Sequence, residues 1–182
     1  GSEMCIRDST STMTQFSGNA SNYLVAAGGG TATGTGAIAI GHTSKANNGG
    51  VAIGRFSDGT GSNSSAYGIA AKATGTKSVA VGSDANVISD YGIAVGASAN
   101  STSKSAIAIG AGATSVGNAA IATGAGASSS GDDSIALGSN TNAASSNSVS
   151  IGNGATATSS SDVALGAGSE AGSRNALTCL LY

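Results

Sequence analysis

The residues that could carry chemistry are few, and their spacing does not bring them together. His42 is the one histidine among 182 residues, so a single chain can assemble neither a histidine-based triad nor a multi-histidine metal site. It follows Gly41, where we expect an exposed turn. Asp132 and Asp133 are the least poor calcium candidates, but the acids lack the fixed G-G-x-G-x-D spacing of calcium-binding β-rolls. We therefore predict no catalytic residue, no metal site and no cofactor.

The glycine-rich stretches and the two cysteines do not form a reactive motif either. The segment from Gly28 to Gly36 matches neither G-x-x-x-x-G-K-[ST] nor a complete G-x-G-x-x-G in a strand-to-helix context, so we expect turns there. Cys5 and Cys179 lie near opposite ends of the chain, outside the regular repeat described below. In an elongated protein they are too far apart for a disulfide within one chain, and at most they could bridge subunits.

Composition argues against an ordinary globular core. Only 3% of the residues are aromatic and 9% charged, with 30 Gly and no Pro, so a buried layer must be thin and built from Ala, Val and Ile. A thin layer implies a repeating, elongated shape. Low-complexity disorder is the alternative for so much Gly, Ser, Thr, Asn and Ala, but disorder predicts no register among the apolar residues.

The charge of the chain disfavours some partners, and its ends carry no recognisable targeting segment. The net charge is −2, and the seven basic residues are scattered singly along the sequence, which disfavours nucleic acid and anionic membrane as partners. No stretch is apolar enough for a membrane helix, and residues 1–10 lack the order of a signal peptide and look like a cloning or sequencing scar. We expect a non-repeat leader over residues 1–22, repeats over 23–176 and an irregular tail over 177–182.

A short word recurs along the chain: an aliphatic residue, a small residue, a second aliphatic residue and Gly. From Val79 to Val163 the copies follow one another at a constant step of fourteen positions, and the earlier steps are looser, with Tyr67 to Ala70 as a degenerate copy. The full copies begin at Ile38, Val51, Val79, Ile93, Ile107, Ile121, Ile135, Val149 and Val163. Such regular steps exclude a chance pattern.

A period of this length suits one turn of a coil made of two short strands and two tight turns. We therefore predict an all-β parallel solenoid of about ten or eleven coils, roughly 50 Å long at about 4.8 Å per coil. Alternation along the first strand predicts that its aliphatic residues point into the coil and its small residue points out. Ala residues six positions after the first aliphatic are expected to face across the same interior: Ala85, Ala99, Ala113, Ala127 and Ala155.

Two outward stripes follow from this orientation. An unbroken row of small residues would let two backbones approach closely, so we predict a subunit interface at Ala80, Ala94, Ala108, Ala122, Ala136, Ser150 and Ala164. The corresponding outward residues of the second strand are polar, and we predict that they face a ligand: Asn86, Asn100, Thr114, Ser128, Asn142 and Thr156.

The words Ser78 to Gly82 (S-V-A-V-G) and Ser105 to Gly110 (S-A-I-A-I-G), with Ala six residues after the first aliphatic, resemble the head repeats of YadA-like trimeric autotransporter adhesins. The resemblance covers roughly Val25 to Ala176. It implies left-handed parallel β-rolls packed side by side as a homotrimer, at the cell surface and held out from a bacterial outer membrane, with host matrix such as collagen or a cell-surface glycan as partner. The sequence shows no coiled-coil stalk, neck or membrane barrel, which leaves anchoring unsupported.

Three kinds of function fit a repetitive rod without catalytic residues. The first is an adhesin head that engages a long ligand through many weak contacts. The second is ice binding, for which the outward pairs are poor because only Thr156 and Thr158 form Thr-x-Thr among the regular copies. The third is a phage or virion fibre segment, which sequence alone does not separate from the first. An enzyme is not expected.

Overall fold

Each copy of the repeated word forms a three-residue strand, and the polar residues that follow it form a second, shorter strand. The computed structural model describes residues 25–179. In chain order the strands are β1 (Val25–Ala27), β2 (Thr31–Thr33), β3 (Ile38–Ile40), β4 (Lys45–Asn47), β5 (Val51–Ile53), β6 (Asp58–Gly59), β7 (Ser65–Tyr67), β8 (Lys72–Ala73), β9 (Val79–Val81), β10 (Asn86–Val87), β11 (Ile93–Val95), β12 (Asn100–Ser101), β13 (Ile107–Ile109), β14 (Thr114–Ser115), β15 (Ile121–Thr123), β16 (Ser128–Ser129), β17 (Ile135–Leu137), β18 (Asn142–Ala143), β19 (Val149–Ile151), β20 (Thr156–Ala157), β21 (Val163–Leu165), β22 (Glu170–Ala171) and β23 (Leu177–Cys179).

The strands stack into two parallel sheets. The odd-numbered strands form a 12-stranded sheet, here called the odd sheet, and the even-numbered strands form an 11-stranded one, the even sheet. One odd and one even strand make one coil, so the chain is a parallel β-solenoid of about eleven coils, as the repeat predicted. Each coil has a first corner, from odd to even strand, and a second corner, from even strand to the next odd strand.

The register is more regular than the sequence suggested. Ser65 pairs with both Val51 and Val79, so the steps into and out of this coil have the same length as those of the later copies. The degenerate copy therefore begins at Ser65, and the predicted alignment from Tyr67 is wrong by two residues because Ser replaces the first aliphatic residue. Leu177 pairs with Val163, so the coil continues past the predicted boundary at residue 176. The predicted leader, residues 1–22, lies outside the described residues.

The orientation predicted for the repeated word is wrong. Ala108, the small residue of its copy, is fully buried inside the coil, whereas Ile109 beside it is 40% exposed. The same inversion holds along the odd sheet. Strands of two or three residues hold the two sheets so close that only small side chains fit between them, so the aliphatic residues point outward. The buried interior is mainly Ala, Ser and Gly, and Val87 is its largest fully buried side chain.

The first corner explains why alternation misled the prediction. The inward residues Ala108 and Ala113 are five positions apart, although strict alternation would place residues of the same face an even number apart. Between them, Gly110 has φ 132° and Gly112 has φ 66°, both in the left-handed region that reverses the chain within a few residues. The expected inward orientation of the second-strand alanines is confirmed: Ala85, Ala99, Ala113, Ala127 and Ala155 are buried.

Many buried hydroxyls close the corners, whereas those of Ser64 and Ser150 have no hydrogen-bond partner among the described residues. Ser78 Oγ donates to the Gly75 carbonyl at 2.7 Å, and Ser44 Oγ donates to the Gly41 carbonyl at 2.9 Å, each across three residues. Inside the coil, Ser101 Oγ donates to the carbonyl of Ala106 at 2.8 Å. Serine therefore replaces alanine at many inward positions with little cost, because its volume is similar and its hydroxyl finds a backbone acceptor.

Val87 shows that a larger side chain in the interior needs a smaller residue beside it. It stands where other coils carry Ala or Ser, such as Ser101. A Cβ added at Gly92 would lie 2.6 Å from Val87 Cγ1 and 2.9 Å from Ser101 Oγ. The large residue at position 87 is thus accommodated by the missing side chain at position 92.

We predict that Gly92→Ala destabilises the chain by about 1–3 kcal/mol through overpacking. The double variant with Val87→Ala should recover most of that loss, because it removes the methyl groups that the new Cβ meets. Urea denaturation of the wild type, both single variants and the double variant gives the coupling free energy. If the changes in unfolding free energy of the two single variants simply add in the double variant, residues 87 and 92 do not compete for the same interior space.

Candidate binding surfaces

The outward aliphatic residues of the odd sheet form an apolar surface along the rod, here called the aliphatic face. They stand in two columns, the first and third residues of each strand, and in-register pairing places each residue directly over the next, as with Ile93 on Ile107 and Val95 on Ile109. Leu137 is 44% exposed, and other members are half-buried. The aliphatic face consists of Val79, Val81, Ile93, Val95, Ile107, Ile109, Ile121, Ile135, Leu137, Val149, Ile151, Val163 and Leu165.

This surface extends along much of the rod. At about 4.8 Å per strand, the aliphatic face extends over roughly 30 Å from β9 to β21, and Ile53 and Ile40 continue it toward β3. Between β9 and β21 the strip is interrupted at Thr123, and an apolar strip of that length is a candidate interaction surface.

The predicted interface residues do not lie on this surface. Their side chains are all fully buried inside their own coil, so they have no surface with which to contact another chain: Ala80, Ala94, Ala108, Ala122, Ala136, Ser150 and Ala164. One signal in the sequence could have corrected the prediction. The middle position of the word is almost always Ala, whereas the flanking positions range from Ser and Thr to Leu and Tyr, and a close-packed interior tolerates such variation in size less than a surface does.

The predicted ligand-facing residues form one column on the outside of the even sheet. Consecutive members are paired in register, and each is half-buried: Asn86, Asn100, Thr114, Ser128, Asn142 and Thr156. Asn86 Nδ2 donates to Asn100 Oδ1 at 2.9 Å, so amide side chains bond along the column. The six residues are here called the polar column; contact with a ligand stays a prediction.

The neighbouring column of the even sheet is mixed. Directly after the end of each even strand, two residues past its polar-column member, stand Ile88, Thr102, Val116, Ser130, Ala144 and Thr158. Ile88 is 54% exposed and Val116 44%, so these two apolar side chains interrupt the hydroxyl-bearing positions. The even sheet therefore lacks the regular Thr array that ordering of ice would require between β10 and β20.

His42 and Asp132, the titratable residues singled out in the sequence, lie in different parts of the fold. His42 lies at a first corner, with its Nδ1 2.9 Å from Thr43 Oγ1. Asp132 Oδ1 accepts two hydrogen bonds from Asn118, one from the backbone N–H at 2.8 Å and one from the side-chain amide at 3.1 Å. This carboxylate therefore links its own coil to the neighbouring coil. Residues 25–179 contain no group of three or more His, Cys, Asp or Glu placed to hold a metal ion.

Two further findings concern the chain ends and membranes. Cys179 is an exposed free thiol at the third position of β23, while Cys5 lies outside the described residues. Over the part of the chain that the structure describes, no helix has the length and apolarity to cross a bilayer.

The fold and these surfaces define a class of protein, a binding rod with one apolar face, one polar column and no convergent reactive groups among residues 25–179. The chain belongs to the YadA head domain repeat family, whose model matches residues 32–57, 60–85, 89–113, 115–141 and 143–169, more than half of the sequence. The family is one of adhesins without enzymatic activity, and the function is accordingly of the adhesin type.

Among solved structures, the chain is similar to the collagen-binding domain of the Yersinia adhesin YadA. The two are 27% identical over 83% of this chain and 70% of that chain, with a TM-score of 0.47. No curated protein matched the sequence.

Ser150 offers a test of the corrected orientation. Its hydroxyl is buried among alanines and has no hydrogen-bond partner among the described residues. We predict that Ser150→Ala stabilises the chain by about 1 kcal/mol, because it removes an unsatisfied buried polar group without changing the volume much. Thermal and urea denaturation measure this, with Ser148→Ala as control: Ser148 Oγ donates to the Ser145 carbonyl at 2.6 Å, so its removal should destabilise. A loss of stability in Ser150→Ala would contradict the buried environment.

Proposed function

We propose that the rod is the head of a homotrimeric adhesin in which the aliphatic face is the subunit interface. The observation that carries this proposal is the long row of half-exposed Val, Ile and Leu on the odd sheet, which Thr123 interrupts between β9 and β21. A coil whose interior holds little more than alanine buries too little apolar surface to be very stable alone. Packing three aliphatic faces around a common axis buries the remaining apolar surface, and the three-fold arrangement follows the family resemblance.

Trimer formation through the odd sheet would leave the even sheets outside. Each trimer then presents three polar columns, and within one column the same kind of polar contact recurs about every 4.8 Å. A long, repetitive ligand can engage many such contacts at once, so that avidity replaces a deep pocket. Host matrix protein fits this description, and collagen is the candidate that the resemblance to YadA-like adhesin heads implies. A cell-surface glycan is the other candidate.

The proposed location follows from the same role. A rod that binds extracellular matrix acts at the cell surface, and we place it outside a bacterial outer membrane, held away from it by parts of the adhesin beyond the described rod. This placement rests on membership of the adhesin family.

We predict that Ile109→Asp dissociates the trimer. The change places a carboxylate in the middle of the aliphatic face, and burying an unpaired charge should raise the dissociation constant by at least about 100-fold. Multi-angle light scattering across a concentration series measures the effect. Thr114→Asp, on the polar column of the same region, is the matched control and should stay trimeric. A monodisperse monomer of the unaltered chain would refute the proposed interface.

We also predict that removal of polar contacts from the polar column weakens binding to immobilised type I collagen. The double variant Asn100→Ala with Thr114→Ala should lose at least about fivefold in affinity, because each loss is repeated in three chains. Surface plasmon resonance measures it, with Ala97→Ser at an exposed first corner as control. Equal binding by both variants, with the trimer intact, would remove the polar column from the ligand surface and leave the interface proposal standing.

A further inference from the structure

Large side chains gather at the first corner of the N-terminal coils, where later coils carry small ones. Stacking brings together residues that are far apart in sequence: the Phe56 backbone N–H donates to the His42 carbonyl at 2.9 Å, and Lys45, Asp58 and Lys72 follow one another in register on β4, β6 and β8. From the coil of Ser83 onward the same corner carries mainly Ala, Gly, Ser and Asn. The cluster, here called the basic–aromatic corner, comprises the corner residues His42, Arg55 and Phe56 and the lysines that begin β4 and β8, Lys45 and Lys72.

The phenyl ring at this corner is held in place and yet open to solvent. The Arg55 guanidinium carbon lies 5.0 Å from the centroid of the Phe56 ring, within the range of a cation–π interaction. The His42 ring meets the same ring edge-on, at 5.7 Å between centroids and 83° between planes. Phe56 nevertheless remains 48% exposed. The result is a pre-ordered aromatic surface beside a guanidinium whose N–H groups can still donate to an anion.

The charge around this corner is positive on balance, because one carboxylate, Asp58, stands among three basic side chains. Among residues 25–179, no ion pair involves Lys45, Arg55 or Lys72. Asp58 stands between the two lysines, but its Oδ1 accepts from the Thr60 backbone N–H at 3.1 Å and the Thr60 hydroxyl at 2.6 Å. Beyond Lys77 the acidic residues outnumber the basic ones along the rod: Asp84, Asp90, Asp132, Asp133, Asp162 and Glu170 against Lys104 and Arg174.

The backbone at Phe56 is strained. Its φ is 62°, in the left-handed region that a bulky residue rarely adopts. The equivalent corner position is glycine in four later coils: Gly112, Gly126, Gly154 and Gly168. Thr43, Ala70 and Asp84 share a positive φ at the equivalent position, so the left-handed conformation belongs to the corner itself. A bulky aromatic side chain in that conformation lowers stability.

We propose that the basic–aromatic corner binds an acidic polysaccharide. A sugar ring can lie against the exposed face of Phe56, while Arg55 and the two lysines hold carboxylate or sulfate groups. Lys45 and Lys72 are two strands apart, about 9.6 Å at the usual strand spacing, which suits a polymer with widely spaced charges. Duplex DNA is a less suitable ligand, because it carries a charge about every 1.7 Å. The acidic residues along the rest of the rod would also repel it. This proposal does not depend on the trimer or on the collagen ligand.

The test is calorimetric titration of the full chain with chondroitin sulfate oligosaccharides at low and moderate salt. We expect binding that weakens with salt and is lost with a desulfated, carboxyl-reduced oligosaccharide. Arg55→Gln should lower the affinity by about tenfold. Phe56→Gly should lower it by about fivefold while leaving the thermal midpoint equal or higher, because glycine relieves the positive φ. That combination separates a binding role from a structural one.

The opposite corner supplies the matched control. Lys77 lies 5.6 Å from the centroid of the Tyr91 ring, and Tyr91 also has a positive φ of 60°, but Asp90 precedes it and there is no surplus of positive charge. Lys77→Gln and Tyr91→Gly should therefore bind as the unaltered chain does. Absence of binding at about 1 mM oligosaccharide, an equal loss in the control variants, or unchanged affinity in Phe56→Gly would each overturn the proposal. Tighter binding of oligo(dT) of equal length would overturn it in favour of nucleic acid.

Discussion

Each coil closes around an interior that accepts small side chains and, where Gly92 leaves room, one Val, and the remaining features follow from that limit. The strands are two or three residues long, and tight corners join them, so the two sheets approach until the Cβ atoms of Ala and Ser fill the space between them. Val, Ile and Leu of the odd sheet cannot be accommodated there. They must point outward, and the chain therefore exposes on its surface the apolar groups that a thicker protein would bury.

The stacking of coils depends on backbone more than on side chains. At the first corner Gly110 has φ 132°, and a Cβ added there would collide with the carbonyl of Gly124 in the next coil. The same arrangement recurs up the rod, so successive corners lie in direct backbone contact. Parallel ladder hydrogen bonds and these glycine contacts keep every coil in register, and in-register stacking converts a short word in sequence into a continuous surface in space.

Because the buried interior and the backbone of the corners are similar from coil to coil, the outward side chains are free to differ. The odd sheet uses this freedom for an apolar surface, the even sheet for Asn, Thr and Ser, and the N-terminal corners for aromatic and basic residues. Function in such a rod belongs to columns of residues, not to a pocket. The adhesin family to which the chain belongs is consistent with this division, since a repetitive surface suits a long ligand.

Much of the architecture could be derived from the sequence. The constant step between copies from Val79 to Val163 determines the length of one coil, since a parallel solenoid repeats its backbone at each turn, and the resemblance to adhesin head repeats rests on the same words. The second-strand alanines were also placed correctly, and the polar column was identified as an outward row. These features depend on period and residue type, which the sequence displays directly.

The direction of the side chains was decided only in the tertiary structure. Alternation of faces holds within a strand, but residues with positive φ at each corner reset it, and the width of the interior then selects Ala over Ile for the inside. The same is true of the basic–aromatic corner. Lys45, Arg55 and Lys72 look isolated along the chain, and only the stacking of coils, which brings residues one repeat apart onto adjacent strands, makes them one surface.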